Sequence, residues 1–179
     1  MTRTALIAGA TGLTGSALLK ILENAETYSK IIILTRRPSE NRHLKVEEIV
    51  TDADSLSLHN TKLIADDIFC CLGTTIKKAK SRDAFKKVDL YYPLELAKLT
   101  KQNGATRFFV VSSMGANEKS KIFYSKVKGT LEKELIHIGF NALHIFRPSL
   151  LLGKRNEFRF GEYAGTILYK MLSWLFIGP

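Results

Sequence analysis

Residues 9–15 read Gly9-Ala10-Thr11-Gly12-Leu13-Thr14-Gly15, and they separate an apolar run at residues 4–8 from a helical pattern at residues 16–22. A strand, a glycine turn and a helix start in this order bring free backbone N–H groups to the positive end of a helix dipole, where phosphate binds. Glycine lets the chain turn tightly and lets the backbone approach a diphosphate. The stretch therefore predicts a dinucleotide-binding turn formed by Gly9, Thr11, Gly12, Leu13, Thr14 and Gly15.

The rest of the chain alternates strand and helix patterns. Apolar residues at steps of three and four over residues 85–99 and 124–138 predict two helices. Nearly continuous apolar strands are typical of a parallel sheet that helices cover on both faces. We expect an α/β fold with a doubly wound, mostly parallel sheet (Rossmann), formed by a single domain over residues 1–179, with a small C-terminal substrate lobe after about residue 149. The further strands are predicted at residues 31–34, 45–50 (the weakest pattern), 68–72, 107–111 and 142–146.

Composition and charge narrow the classes of function. The 179 residues carry a net charge of +10, but the basic residues are spread along the chain, so we expect no nucleic-acid partner. The adjacent cysteines Cys70 and Cys71 indicate buried, reduced thiols and, together with the lack of a secretory signal pattern, a cytoplasmic protein. The most apolar segment, residues 167–177, is too short for stable membrane insertion. The histidines show no metal-ligand spacing, so we expect no metal.

The end of the second predicted strand bears on the choice of cofactor. NAD-binding domains usually place an acidic residue there for the ribose 2′-hydroxyl, whereas this chain has Arg36 and Arg37. Guanidinium groups bind a 2′-phosphate in a bidentate manner. The pair favours NADP(H) without excluding NAD(H), and two solvated surface arginines are the alternative interpretation.

A second group of polar residues follows the strand predicted at residues 107–111. Ser112 and Ser113 end that strand, and Tyr124 and Lys128 share one face of the next helix because they are four residues apart. Tyr124 also begins the apolar stripe of this helix, so a core aromatic is the alternative. With the Gly-x-x-Gly-x-x-Gly spacing of the turn, these residues resemble the atypical and extended short-chain dehydrogenases/reductases. The run at residues 123–129, Arg147-Pro148 and an Arg-x-Gly-Glu sequence at residues 159–162 are similar to the Tat-interacting oxidoreductase-like proteins of that group.

The resemblance implies roles for individual residues. It makes Tyr124 the general acid/base, Ser113 the residue that orients the substrate oxygen (with Ser112 as second choice), and Lys128 the residue that holds the nicotinamide ribose and lowers the pKa of the tyrosine. It further assigns cofactor contacts to Leu72, Gly73, Thr74, Ser112, Tyr124, Lys128, Pro148 and Ser149. The implied activity is NADP(H)-dependent reduction of a small carbonyl substrate. The alternative is an NADP(H)-binding regulatory or redox-sensing protein with little turnover that acts through a protein partner.

The sequence departs from the family pattern in two ways. The asparagine that many of these enzymes use in a proton relay cannot be located. Related chains also continue beyond this length, and the chain ends just after the apolar residues Trp174, Leu175 and Phe176. We expect either a shortened chain or an apolar surface at this end that forms a homodimer or meets a protein partner.

Overall fold

The computed structural model describes residues 2–41, 43–149 and 151. In this part of the chain, parallel strands form one six-stranded sheet in the order β3-β2-β1-β4-β5-β6. Flanking helices complete an α/β fold with the strand order of a Rossmann domain, which confirms the predicted fold class. The strands are β1 Arg3–Ala8, β2 Tyr28–Thr35, β3 Val46–Val50, β4 Asp67–Cys70, β5 Arg107–Val111 and β6 Ala142–Phe146.

The helices follow the strands with two departures from the sequence pattern. The first helix begins at Leu13 rather than at residue 16, because Gly12 in an extended conformation acts as its N-cap. The stripe predicted as one helix over residues 85–99 is divided by a π-helical turn. The helices are α1 Leu13–Asn24, α2 Ile76–Ala79, α3 Arg82–Lys86, α4 Tyr92–Gln102 and α5 Phe123–Ile138, with the π turn at Lys87–Tyr91 and a 3-10 helix at Leu56–Lys62.

The π turn has a local cause in the sequence. Pro93 has no backbone N–H to donate to the carbonyl of Asp89, four residues before it, so a regular α-helical ladder cannot run through this point. The turn places Asp89 on the buried side of the helical segment, where 1% of the residue is exposed. A carboxylate is thereby brought into the protein interior.

The core lies on both faces of the sheet because successive residues of a strand point to opposite sides. On β1, Leu6 belongs to the apolar cluster that includes Leu96 of α4 and Leu131 of α5. Its neighbour Ile7 belongs to the cluster that includes Leu19 of α1. Burying each such side chain stabilises the fold by about 1.5–3 kcal/mol, so the two-faced burial accounts for the doubly wound arrangement.

The strand order reverses between β1 and β4. From β1 the chain builds the sheet outward through β2 and β3, then returns to β4 on the other side. In open α/β sheets, ligands bind at such a reversal, beyond the carboxyl ends of the strands. The strand predicted at residues 68–72 ends at Cys70, and the backbone N–H of Cys71 still donates to Ala8 O at 2.8 Å.

The chain divides into a compact unit of Met1–Ser149 and a second unit of Leu150–Pro179. The expected substrate lobe, the Arg-x-Gly-Glu sequence at residues 159–162 and the apolar residues 174–176 lie outside the described residues. Their expected roles, and the division of the chain into one domain with a lobe, stay predictions. Among the residues that the structure describes, no helix has the length and apolar character needed to cross a bilayer.

Candidate cofactor and active site

The glycine turn lies at the carboxyl end of β1, at the reversal of the sheet. Gly9 has φ +86°, and a Cβ there would lie 2.7 Å from Cys71 O in the neighbouring loop. A Cβ at Gly15 would lie 2.1 Å from Gly9 O, so α1 packs against the turn at a distance that only glycine allows. No described side chain caps α1. The first-turn N–H groups at this helix start, where Gly12 is exposed, therefore suit an anionic group.

Arg36 and Arg37 are exposed directly after β2, on the same edge of the sheet. The loop that carries them is held from β3, because Glu48 accepts hydrogen bonds from Thr35 Oγ1 at 2.7 Å and from Ser39 N at 2.9 Å. The backbone of the loop is thus anchored by an acid on the neighbouring strand. Both guanidinium groups stay at the surface.

The loop after β4 contains the predicted residues Leu72, Gly73 and Thr74. Its backbone is joined to the π turn, since Thr74 N donates to Asp89 Oδ2 at 2.8 Å. The other carboxylate oxygen, Oδ1, lies 2.8 Å from Lys128 Nζ. This contact is a buried ion pair at the distance of a charge-assisted hydrogen bond. Lys128 is 3% exposed, so one buried carboxylate connects the β4 loop to α5.

Asp89 was not among the residues predicted from the sequence. It is a lone carboxylate four residues after Phe85 and three before Tyr92, two buried members of the helical stripe. An acid at such a position is the signal that could have found it, because buried carboxylates need a charge or hydrogen-bond partner. The structure supplies that partner from α5.

Tyr124 lies in the first turn of α5 and is half-buried. Its ring packs against Phe85, with 5.7 Å between the centroids, and it contacts the main core cluster. The interpretation of Tyr124 as a core aromatic therefore holds in part, because the ring contacts the core cluster while the residue is still partly exposed. Whether it acts as an acid/base stays a prediction.

The two neighbouring serines have different surroundings. Ser112 Oγ donates to Glu132 Oε1 at 2.5 Å in the protein interior. Ser113 Oγ is buried and has no hydrogen-bond partner among the described residues. Of the two, Ser113 is therefore the one whose hydroxyl is not engaged by a described residue. Which serine orients the substrate oxygen stays a prediction.

The ends of β5 and β6 are joined. Met114 N, just beyond Ser113, donates to Pro148 O at 3.1 Å. Arg147 donates to Glu132 from Nε at 3.0 Å and from a terminal nitrogen at 2.5 Å. The structure thus brings the predicted serines and the Pro148 segment together, and it links the glycine turn to the β4 loop. The role of each residue stays a prediction.

A surface depression of about 430 Å³ lies beside the π turn and is separate from the glycine turn. Three carboxylates contribute to its lining, those of Asp54, Asp83 and Glu95, against one cation, Lys87. This charge balance opposes the phosphates of a dinucleotide. Phosphate binding therefore fits the glycine turn and not this depression.

Comparison with known proteins decides the family. A family model described as the NAD dependent epimerase/dehydratase family matches residues 5–132. The chain belongs to this family. The match confirms the resemblance to the extended short-chain dehydrogenases/reductases.

This member of the NAD dependent epimerase/dehydratase family has relatives of similar sequence. It is 36% identical over 178 residues to rat protein HTATIP2, a match that covers 96% of this chain and 73% of the relative. It is 38% identical over 156 residues to the mitochondrial protein FMP52 of Candida albicans, which covers 84% of this chain and 68% of the relative. The similarity to HTATIP2 agrees with the predicted resemblance to Tat-interacting oxidoreductase-like proteins.

Solved structures support the fold. The Bordetella bronchiseptica enzyme WbmH, solved in complex with NAD+, superposes with a TM-score of 0.74 at 16% identity. The match covers 97% of this chain but 63% of WbmH, so the chain spans less than two thirds of that neighbour. This likeness concerns the fold alone.

The expectation of a cytoplasmic protein is overturned by the Candida albicans relative, which is named mitochondrial. The cysteines gave no basis for choosing between compartments. Both are free, and burial raises the pKa of the Cys70 thiol to about 11 and that of Cys71 to about 12. Such protonated thiols are unreactive in any reducing compartment, so they do not distinguish the cytosol from the mitochondrion.

Proposed function

We propose that this family member binds NADP(H) across the carboxyl ends of β1 and β4 and reduces a small carbonyl substrate. The observation that carries the proposal is the glycine turn, because a Cβ at Gly15 would collide with Gly9 O. This close packing leaves the start of α1 open to a diphosphate, which the helix dipole and its N–H groups stabilise.

The preference for the 2′-phosphorylated cofactor rests on the end of β2. Arg36 and Arg37 are exposed there, next to the strand that carries the glycine turn. A 2′-phosphate adds two negative charges at most, and a guanidinium group can donate two parallel hydrogen bonds to it. NAD(H) lacks this group and would gain nothing from the arginines.

The chemistry rests on residues of the β5 end and α5. The cofactor, when bound in its reduced form, would supply the hydride that reduction of a carbonyl carbon requires. Tyr124 gives its hydroxyl proton to the carbonyl oxygen, and the Ser113 hydroxyl, which has no partner in the described part of the protein, donates a hydrogen bond to the same oxygen. Lys128, one turn further along α5, would hold the cofactor ribose while it stays paired with Asp89.

One observation favours a second candidate, an NADP(H)-binding regulatory protein with little turnover. The Lys128 ammonium is already compensated by the buried Asp89 carboxylate. A cation held in this way stabilises a neighbouring phenolate less, and proton transfer by Tyr124 would then be slow. Cofactor binding is common to both candidates, whereas turnover separates them.

Calorimetric titration tests the cofactor proposal. We expect NADPH to bind at least about tenfold more tightly than NADH, since even one charge-assisted hydrogen bond is worth that factor. Arg36→Ala with Arg37→Ala should remove the difference while NADH affinity stays constant. Tighter binding of NADH than of NADPH would contradict the preference.

Turnover tests the chemistry. A panel of small carbonyl compounds is incubated with NADPH and the protein, and oxidation of NADPH is followed. We expect Tyr124→Phe to lower turnover by about a hundredfold or more, the usual contribution of a general acid. Unchanged turnover in this variant would exclude Tyr124 as the acid, and no turnover by the parent protein despite tight NADPH binding would favour the regulatory candidate.

A further inference from the structure

Glu132 lies on α5 one turn after Lys128, and it is 4% exposed. It has no role in the proposed function, yet its carboxylate gathers donors from two other parts of the chain. Oε1 accepts from Ser112 Oγ at 2.5 Å and from Arg147 Nε at 3.0 Å, and Oε2 accepts from a terminal nitrogen of Arg147 at 2.5 Å. Glu132 therefore joins α5 to the residues that directly follow β5 and β6.

Both of its partners stand next to predicted site residues. Ser112 precedes Ser113, and Arg147 precedes Pro148. Two backbone hydrogen bonds run between the same segments, from Ser112 N to Phe146 O at 2.7 Å and from Met114 N to Pro148 O at 3.1 Å. Those bonds align the two strand ends with each other. Glu132 is the group that aligns both of them with the helix that carries Tyr124 and Lys128.

A role in orienting the two strand ends explains why a buried carboxylate is present here although burying it costs free energy. Burying a carboxylate is unfavourable unless it is paired, and a well-packed apolar residue is often as stabilising as a buried ion pair. A carboxylate that receives two parallel bonds from a guanidinium has a defined direction, which an apolar residue lacks. The Arg147 side chain is 53% exposed, so it stays at the surface while Glu132 is enclosed.

We infer that Glu132 is a positioning residue that holds Ser113 and the Pro148-Ser149 segment against the nicotinamide end of the cofactor site. The inference rests on the proposed function, because a nicotinamide end of the site exists only if the protein binds NADP(H) as proposed. It predicts that Glu132 affects binding of the nicotinamide ring and leaves binding of the diphosphate and 2′-phosphate unchanged. A purely structural role would weaken binding of all parts of the cofactor together.

The experiment compares two ligands that share the adenosine and diphosphate groups. NADPH and 2′-phospho-ADP-ribose, which lacks the nicotinamide, are titrated calorimetrically into the parent protein, Glu132→Gln and Glu134→Gln. Glu134 is an exposed acid on the same helix and serves as the matched control. For Glu132→Gln we expect about tenfold weaker NADPH binding, the equivalent of one charge-assisted hydrogen bond, with the fragment affinity within about twofold of the parent.

A second variant covers the case in which Glu132→Gln does not fold. Arg147→Lys keeps a cation at a half-exposed position but loses the bidentate geometry, and we expect it to raise the ratio of NADPH to fragment dissociation constants in the same direction. If both variants are soluble, a ratio equal to that of the parent in both overturns the inference. If only Arg147→Lys is soluble, an unchanged ratio in that variant overturns it. If the parent binds neither ligand, the proposed function itself is wrong, a result that differs from an unchanged ratio.

Discussion

The two ends of the sheet bury carboxylates in different ways. At the amino end, Asp67 is 0% exposed and accepts two hydrogen bonds from Arg3, two from Arg107 and one from the hydroxyl of Tyr28. At the carboxyl end, Asp89 has only one ion pair, with Lys128, and one backbone donor, Thr74 N. Glu132 at the carboxyl end is also fully paired, by Ser112 and Arg147. The amino end is thus satisfied by one carboxylate that gathers five donors, whereas the carboxyl end combines two separately paired carboxylates with the Ser113 hydroxyl, which has no partner among the described residues.

This difference indicates that the paired and unpaired polar groups at the two ends of the sheet have different roles, in stability and in ligand binding. A buried polar group with all its hydrogen bonds made rigidifies the fold, while an unsatisfied one is costly unless a ligand completes it. Ser113 Oγ, buried without a partner in the described region, belongs to the second kind. We therefore expect mutations of the paired carboxylates at either end to change stability, and mutation of Ser113 to change ligand binding more than stability.

The largest effect should come from Asp67. Asp67→Asn removes a charge that two arginines share, and we expect the free energy of unfolding to fall by about 4 kcal/mol. Denaturant unfolding followed by circular dichroism measures it. Asp54→Asn is the control, because the Asp54 and Lys87 pair is largely solvent-exposed and its loss should change stability little. An effect of Asp67→Asn as small as that of the control would contradict the structural role.

The second effect concerns the buried pair at the site end. Lys128→Met leaves Asp89 buried without a counter-charge, and we expect a loss of about 3 kcal/mol in unfolding free energy. Adding Asp89→Asn should recover stability to within about 1 kcal/mol of the parent, since replacing both charges is often neutral. The same denaturant measurement on the single and double variants forms a cycle. Additive losses would show that the two side chains do not interact.

The third effect is the acid sensitivity of Asp67. Burial by itself raises the pKa of this carboxyl, but the hydrogen bonds from Arg107, Arg3 and Tyr28 outweigh it and lower the pKa to about 2. In the unfolded chain the pKa of an aspartate is about 4, so the folded state favours the ionised Asp67 more than the unfolded state does. This contribution to stability is complete above the unfolded pKa and is lost as the pH falls towards the folded pKa. The loss amounts to about 2 kcal/mol. Unfolding measured from mildly acidic pH down to the folded pKa should show it in the parent and not in Asp67→Asn.

The smallest effect separates two adjacent serines. Ser113→Ala removes a hydroxyl that has no partner in the described structure, so we expect the unfolding free energy to change by less than about 0.5 kcal/mol. Ser112→Ala removes a bond to the charged Glu132 and should cost about 1.5 kcal/mol. Equal losses in the two variants, compared by thermal and denaturant unfolding, would contradict the difference between their surroundings.

Most of the fold could be predicted from local patterns. Runs of apolar residues mark the strands, and the spacing of apolar residues marks the faces of α4 and α5. Gly139 directly follows the helix predicted at residues 124–138 and has φ +72° at the C-cap of α5, as expected of glycine. The start of α1 was misplaced because Gly12 caps it without a side chain. The π turn was missed because a proline within an apolar stripe is also compatible with a helix that continues past it.

The site was predicted in part, for a different reason. Residues that act through the backbone, such as Gly9 and Gly15, are visible because glycines spaced in this way between a strand and a helix are typical of a phosphate-binding turn. Asp89 and Glu132 were missed because their sequence surroundings resemble those of ordinary helical acids. Their significance comes from contacts between residues that are distant in the chain. Asp89 contacts Lys128 and Thr74, and Glu132 contacts Ser112 and Arg147.

The sequence by itself determined that this chain forms a parallel sheet with a glycine turn at the start of its first helix, because backbone freedom and apolar periodicity are properties of neighbouring residues. Only the tertiary structure decided which carboxylates are buried, and which of the two serines Ser112 and Ser113 keeps a hydroxyl without a partner among the described residues. Those outcomes depend on side chains that the fold brings together from separate strands and helices, and no local pattern records them.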